Sequence, residues 1–158
     1  MAKYYIAYGS NLNMRQMKFR CPGALAVGTG FIKDYELLFK GSKTGSYLTI
    51  EEKKGSFVPV AIWKVDDNHE RALDRYEGYP TFYYKKEIEV DFISLKRKLP
   101  HHAKAFVYIM HEDRCLGVPS KEYLQVCLEG YKTFGFSYKY LEDALKKSME
   151  VKHGNNNN

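Results

Sequence analysis

Aromatic and apolar side chains open the chain without interruption, and Lys3-Tyr4-Tyr5-Ile6-Ala7 predicts a strand. Tyr8-Gly9-Ser10-Asn11-Leu12 breaks that pattern. Residues 13–20 then read as a short helix with Met14 and Met17 on one face, ended by Cys21-Pro22-Gly23. Strand patterns follow over residues 24–32, 35–40, 46–51 and 57–65, punctuated by Lys33-Asp34, by residues 41–45 and by Lys53-Lys54-Gly55. Residues 67–76 read as a helix capped by Asp66 or Asp67, with Leu73 and Tyr76 inward and Gly78 suited to a left-handed helix end. A long strand is expected over 82–92 and another over 103–110. Residues 119–131 and 137–147 complete the pattern as two helices, the first with Leu124, Cys127, Leu128 and Tyr131 at core-facing spacing.

Six or seven strands among short helices, with no repeat and no linker, predict one α+β domain over residues 1–150, its sheet curled or closed into a small barrel. Residues 151–158, ending in an asparagine run, are expected to form a disordered tail. Composition adds little to this picture: at 158 residues and 44% hydrophobic content the chain can bury a core without metal or disulfide staples. Cys21, Cys115 and Cys127 are an odd set without CxxC spacing and read as reduced, mostly buried thiols. No bilayer-spanning run and no charged-then-apolar leader is evident, so the expected location is cytoplasmic, without membrane association. The net charge of +6 is spread over scattered lysines and arginines and reads as a solvated surface. The 14 tyrosines could stack on bases, but in β-rich segments they more often pack across strands, so no nucleic-acid partner is expected.

Several motifs fail on context. Gly28-Thr29-Gly30 is followed by a strand pattern and by Lys33 where a dinucleotide fingerprint has glycine, and Gly41-Ser42-Lys43-Thr44 lacks the helix a phosphate loop needs. The five histidines lack metal-ligand spacing, and no serine or cysteine lies in a recognisable nucleophile setting. No metal and no cofactor are expected.

Two segments remain. A strand turning through Gly9-Ser10-Asn11 into a helix leaves N–H donors without helical partners, a cradle for a carboxylate or oxyanion, with Gly9 permitting close backbone approach. The same pattern also fits an ordinary turn in which Ser10 or Asn11 only caps the helix. Glu77 closes Leu73-Asp74-Arg75-Tyr76-Glu77-Gly78 among Tyr76, Tyr79, Phe82, Tyr83 and Tyr84. An acid among aromatic rings is desolvated, and its pKa rises toward that of a general base.

Taken together, Tyr8-Gly9-Ser10-Asn11-Leu12 and the Leu-Asp-x-x-Glu-Gly segment ending at Glu77-Gly78 resemble the γ-glutamylcyclotransferase family, over essentially residues 3–147. The resemblance implies a mixed, barrel-like α+β fold, Glu77 as the catalytic acid/base, and a γ-glutamyl substrate cyclised to 5-oxoproline with release of an amine. It also implies that Tyr8, Gly9, Ser10, Asn11 and Leu12 surround the glutamyl moiety, joined by a tyrosine of the following strand, Tyr83 or Tyr84, and by Tyr140 of the last helix. A non-catalytic binding protein of the same fold and a relative acting on a different acylated amine are the alternatives.

Overall fold

A computed structural model describes residues 2–42 and 44–156, with side chains through residue 151. Strand β1 (Lys3–Ala7) leads through a 3₁₀ turn (Ser10–Leu12) into helix α1 (Met14–Arg20). Strands β2 (Leu25–Ser42) and β3 (Gly45–Val65) form a long hairpin, followed by α2 (Asp67–Glu77), β4 (Tyr83–Ser94) and β5 (Pro100–Met110). A short β6 (Cys115–Leu116), α3 (Lys121–Phe134) and α4 (Lys139–Asn156) complete the chain.

The sheet runs β3-β1-β5-β4-β2-β6, and β2 pairs back onto β3, so five strands close into a barrel. The β1–β5 pair is parallel and the other pairings are antiparallel, as the mixed barrel-like α+β expectation requires. Its core holds Ile6, Phe39, Ile50, Val60, Ile62 and Val107, all fully buried.

Four predicted strands prove to be two bent ones. At Lys33–Tyr35 the β2–β3 register shifts; Asp34 takes φ 63°, and its carboxylate accepts the N–H of Gly55, itself at φ 88°. Both breaks are therefore one bulge that turns the hairpin without ending it. Residues 41–45, read as a loop, are mostly strand ends, with Lys43 outside the described residues. Helix α4 continues through Asn156 into the stretch expected to be a disordered tail, and residues 157 and 158 lie outside the described ones.

Helix α2 is fixed at both ends. Asp66 accepts the His69 N–H at 2.8 Å, and the His69 ring accepts the Asp66 N–H at 3.1 Å. The other ring nitrogen faces the Pro22 carbonyl at 2.6 Å, so a proton there completes both bonds and ties the helix to the α1–β2 turn. At the C-terminus Gly78 sits at φ 65°, and the N–H of Tyr79 reaches the carbonyl of Asp74 at 2.9 Å. This closure holds Glu77, the last helical residue, beside the turn that follows β1.

Candidate active site

A cavity of about 240 Å³ opens between the β1–α1 connection and the end of α2. The connection contributes Tyr8, Gly9, Ser10 and Asn11, helix α2 contributes Tyr76 and Glu77, and β4 contributes Tyr83, preceded by Phe82. Tyr5, Tyr47, Leu48, Tyr108 and Tyr123 complete the wall.

Alternation along β4 separates the two candidate tyrosines. Tyr83, opposite Met110, points inward and donates its hydroxyl to the Leu48 carbonyl at 2.8 Å. Tyr84 points to the other face, where its hydroxyl donates to Glu112, away from the cavity. Tyr140 packs against Phe31 on the outside of β2, with ring centroids 6.3 Å apart. Leu12 is fully buried beneath α3, where a side chain at Gly130 would meet its Cβ at 2.6 Å. Leu12, Tyr84 and Tyr140 are therefore not brought to the cavity; Tyr8, Gly9, Ser10, Asn11, Tyr83 and Glu77 are.

The turn is held from within. Leu12 N–H donates to the Gly9 carbonyl and Asn13 N–H to that of Ser10, both at 3.0 Å, while the N–H groups of Ser10 and Asn11, at the start of the turn, gain no partner from it. Asn13, not Ser10 or Asn11, caps α1, its side chain accepting from Gln16 N–H at 3.1 Å. The Asn11 amide donates to the Tyr5 hydroxyl at 2.8 Å and its oxygen accepts from Arg20; the Ser10 and Tyr76 hydroxyls share a bond of 3.0 Å. Gly9 has φ −130° and ψ −124°, neither helical nor extended. Its small size does matter: a Cβ there would lie 3.3 Å from that of Leu48 and 3.4 Å from the Tyr123 hydroxyl.

Glu77 is half-buried, and among the described residues no hydrogen bond reaches its carboxyl. Desolvation by the surrounding rings pushes its pKa up from 4.5 to about 7, opposed only by Arg20, whose guanidinium carbon lies 3.3 Å from the Tyr76 ring centroid. Burial, and then the Glu77 charge, hold Tyr5 and Tyr8 well above the ordinary phenol range, so these hydroxyls stay protonated. Tyr83 is raised too, first by burial and with Glu77 contributing. One titratable carboxyl thus stands in a ring of neutral hydroxyls.

Asp74, one helical turn before Glu77, accepts the Tyr108 hydroxyl at 2.6 Å and pairs with Lys85 at 3.0 Å. The Tyr8 hydroxyl donates to the Tyr108 carbonyl at 2.7 Å. The sequence reading missed Tyr108, Tyr47 and Tyr123, which lie far from both motifs along the chain. For Tyr108 a signal existed: it stands two residues before Met110, the inward partner of Tyr83. Cys21 and Cys127 are buried, with thiol pKa values pushed up by desolvation to about 11 and about 12, and Cys115 is exposed. Among the described residues no cluster of metal-ligating side chains forms, and no helix is long and apolar enough to cross a membrane.

Residues 5–125 match the family described as "Gamma-glutamyl cyclotransferase, AIG2-like". The bovine and human proteins named gamma-glutamylcyclotransferase are 29% and 28% identical to this chain over 143 and 145 residues, covering 86% and 87% of it and 73% and 74% of their own lengths. A solved structure named gamma-glutamyl cyclotransferase superposes with a TM-score of 0.76 at 26% identity, over 91% of this chain and 86% of its own. A family match spanning the β1 turn, the barrel and Glu77 places the chain plainly: it belongs to the γ-glutamyl cyclotransferase, AIG2-like family.

Proposed function

We propose that this protein is a γ-glutamylcyclotransferase acting as one domain over residues 1–150 in the cytoplasm, with Glu77 as its acid/base and a small γ-glutamyl amine or γ-glutamyl amino acid as substrate. The observation that carries the role of Glu77 is a carboxyl with a pKa of about 7, facing a cavity and without a hydrogen-bond partner among the described residues.

The chemistry needs no protein nucleophile. Glu77, ionised, takes a proton from the substrate's α-ammonium. The freed amine attacks the side-chain carbonyl and closes a five-membered ring, and the tetrahedral oxyanion develops within reach of the Ser10 and Asn11 N–H groups. The ring nitrogen, now carrying two protons, loses one to solvent, and the bond to the leaving nitrogen breaks as Glu77 returns its proton there, giving 5-oxoproline and a free amine. Walls formed by Tyr5, Tyr8 and Tyr83 hold the glutamyl chain folded for attack, which converts flexibility into proximity.

The test is 5-oxoproline release from γ-glutamyl compounds by the purified protein and by Glu77→Gln. Turnover by the wild type and a loss of about 100-fold or more in the variant are expected, the range typical of general acid–base catalysis. A Gln variant within about tenfold of wild type refutes the role of Glu77. A wild-type protein that binds these compounds without releasing 5-oxoproline is a binding protein.

A further inference from the structure

The cavity is chemically lopsided. Polar groups gather at the Ser10–Asn11 turn and Glu77. Next to them stands an aromatic wall: the Tyr47 ring meets Tyr123 edge-on at 5.2 Å and 87°, and Phe82 at 6.2 Å and 83°. Tyr47 and Tyr76 are the most exposed lining residues, at 37% and 44%, so they flank the mouth. The Tyr123 hydroxyl accepts the Leu48 N–H at 3.0 Å.

Among the described residues no lysine, arginine or histidine lines the cavity. Two of the cations nearby are already engaged. Arg20 is bound to Asn11 and Gln16, and Lys85 to Glu70 and Asp74. Arg114 stacks on Phe82, 4.8 Å from its ring centroid, without itself lining the cavity. With the glutamyl group at the Ser10 turn and Glu77, the rest of the substrate leaves past Tyr47 and Phe82. A leaving group carrying a carboxylate would desolvate that charge against rings whose neighbouring cation, Arg114, stands outside the cavity, whereas an apolar or aromatic substituent would displace water from those rings.

We infer that the leaving group of the preferred substrate is an uncharged aromatic or apolar amine, received by a subsite of Tyr47 and Phe82 with Tyr123 bracing Tyr47. This specificity rests on the cyclotransferase reading above and adds to it the class of amine released.

A matched series tests it: γ-glutamyl-phenethylamine, γ-glutamyl-phenylalanine and γ-glutamyl-phenylalaninamide, which share one ring and differ in charge and size, with γ-glutamyl-ethylamine as the ringless reference. The phenethylamine compound is expected to exceed the phenylalanine compound in kcat/KM by at least about tenfold, with the amide recovering most of the loss because it removes the charge and keeps the bulk. Tyr47→Ala is expected to shrink the phenethylamine-to-ethylamine ratio. Equal or better use of the phenylalanine compound overturns the inference, and its loss in Arg114→Ala would show that Arg114 reads the carboxylate. If no compound yields 5-oxoproline the cyclotransferase reading fails separately, and the same series is then ranked by its effect on the melting temperature of Glu77→Gln. Greater stabilisation by the phenethylamine compound supports the aromatic subsite, and an equal or smaller effect overturns it.

Discussion

Replacing Glu77 by glutamine should make the protein more stable at alkaline pH while disabling it. A carboxyl held at about 7 instead of its ordinary 4.5 disfavours its ionised form by about 3 kcal/mol, at about 1.4 kcal/mol per pH unit. Because the carboxyl opens onto the cavity, water screens part of this, and about 1–3 kcal/mol is the expected size. The sign follows from proton binding. Between the unfolded value of 4.5 and the folded value of about 7 the folded protein holds more protons than the unfolded chain, so stability falls as pH rises through that window. Below it no deficit exists, and above it the deficit is complete. Glutamine does not ionise and escapes the loss. Thermal unfolding of both proteins from pH 4 to 8.5 is the assay. Their melting temperatures should coincide near pH 4 and separate by about 2–12 °C in favour of the variant at pH 8.5, at about 2–4 °C per kcal/mol for a chain of this size. Parallel curves, or a variant less stable at pH 8.5, would mean that Glu77 is not desolvated in the folded state.

Three further outcomes are expected. With an ionised Glu77 required to accept the α-ammonium proton, kcat/KM for 5-oxoproline release should rise with pH through an apparent pKa of about 7, and a flat profile across pH 5–8 would exclude it as the base. Gly9→Val should abolish the rise in melting temperature produced by 5-oxoproline, because the added methyls crowd Leu48 and the Tyr123 hydroxyl at the cavity wall; normal binding by the folded fraction of a destabilised variant would leave Gly9 with a packing role alone. Gly130→Ala should cost about 1–3 kcal/mol in urea unfolding, since its Cβ would lie 2.6 Å from that of Leu12 and 2.7 Å from the Leu12 carbonyl carbon, and an unchanged midpoint would contradict the close seating of α3 on the turn.

The strands and helices were legible because their signals are local. The alternation over residues 82–92 and the Asp66 and Gly78 ends of α2 need no tertiary information, and they fell within a few residues of the observed elements. Barrel closure was only suggested, because β2 meeting β3 along one edge and β4 along another is a long-range fact. The two bends were misread as strand ends for a physical reason: Asp34 and Gly55 both look like turn residues, and only their mutual hydrogen bond shows that they share one bulge. In the site, Glu77 and the Gly9–Asn11 turn were visible as motifs, whereas Tyr47 and Tyr123 had no motif to announce them. Tyr84 and Tyr140 were named through resemblance alone, and strand parity for one and an outward helix face for the other keep them from the cavity.

The Leu-Asp-x-x-Glu-Gly segment is best understood as one device with three positions, each set by helical geometry. Leu73 is fully buried and anchors the helix to the barrel. Asp74 takes the Tyr108 hydroxyl, and Tyr108 in turn offers its carbonyl to Tyr8, so the helix fixes two walls of the cavity before Glu77 is reached. Glu77 then lies one turn beyond Leu73, followed by a left-handed glycine that ends the helix and turns the chain toward Phe82. Its carboxyl faces a space in which several hydroxyls already have partners: Tyr8 is bonded to Tyr108, Tyr83 to Leu48 and Ser10 to Tyr76. A proton acceptor surrounded by saturated hydroxyls has its pKa set by desolvation more than by a counter-ion. It can therefore both take and return a proton near neutrality.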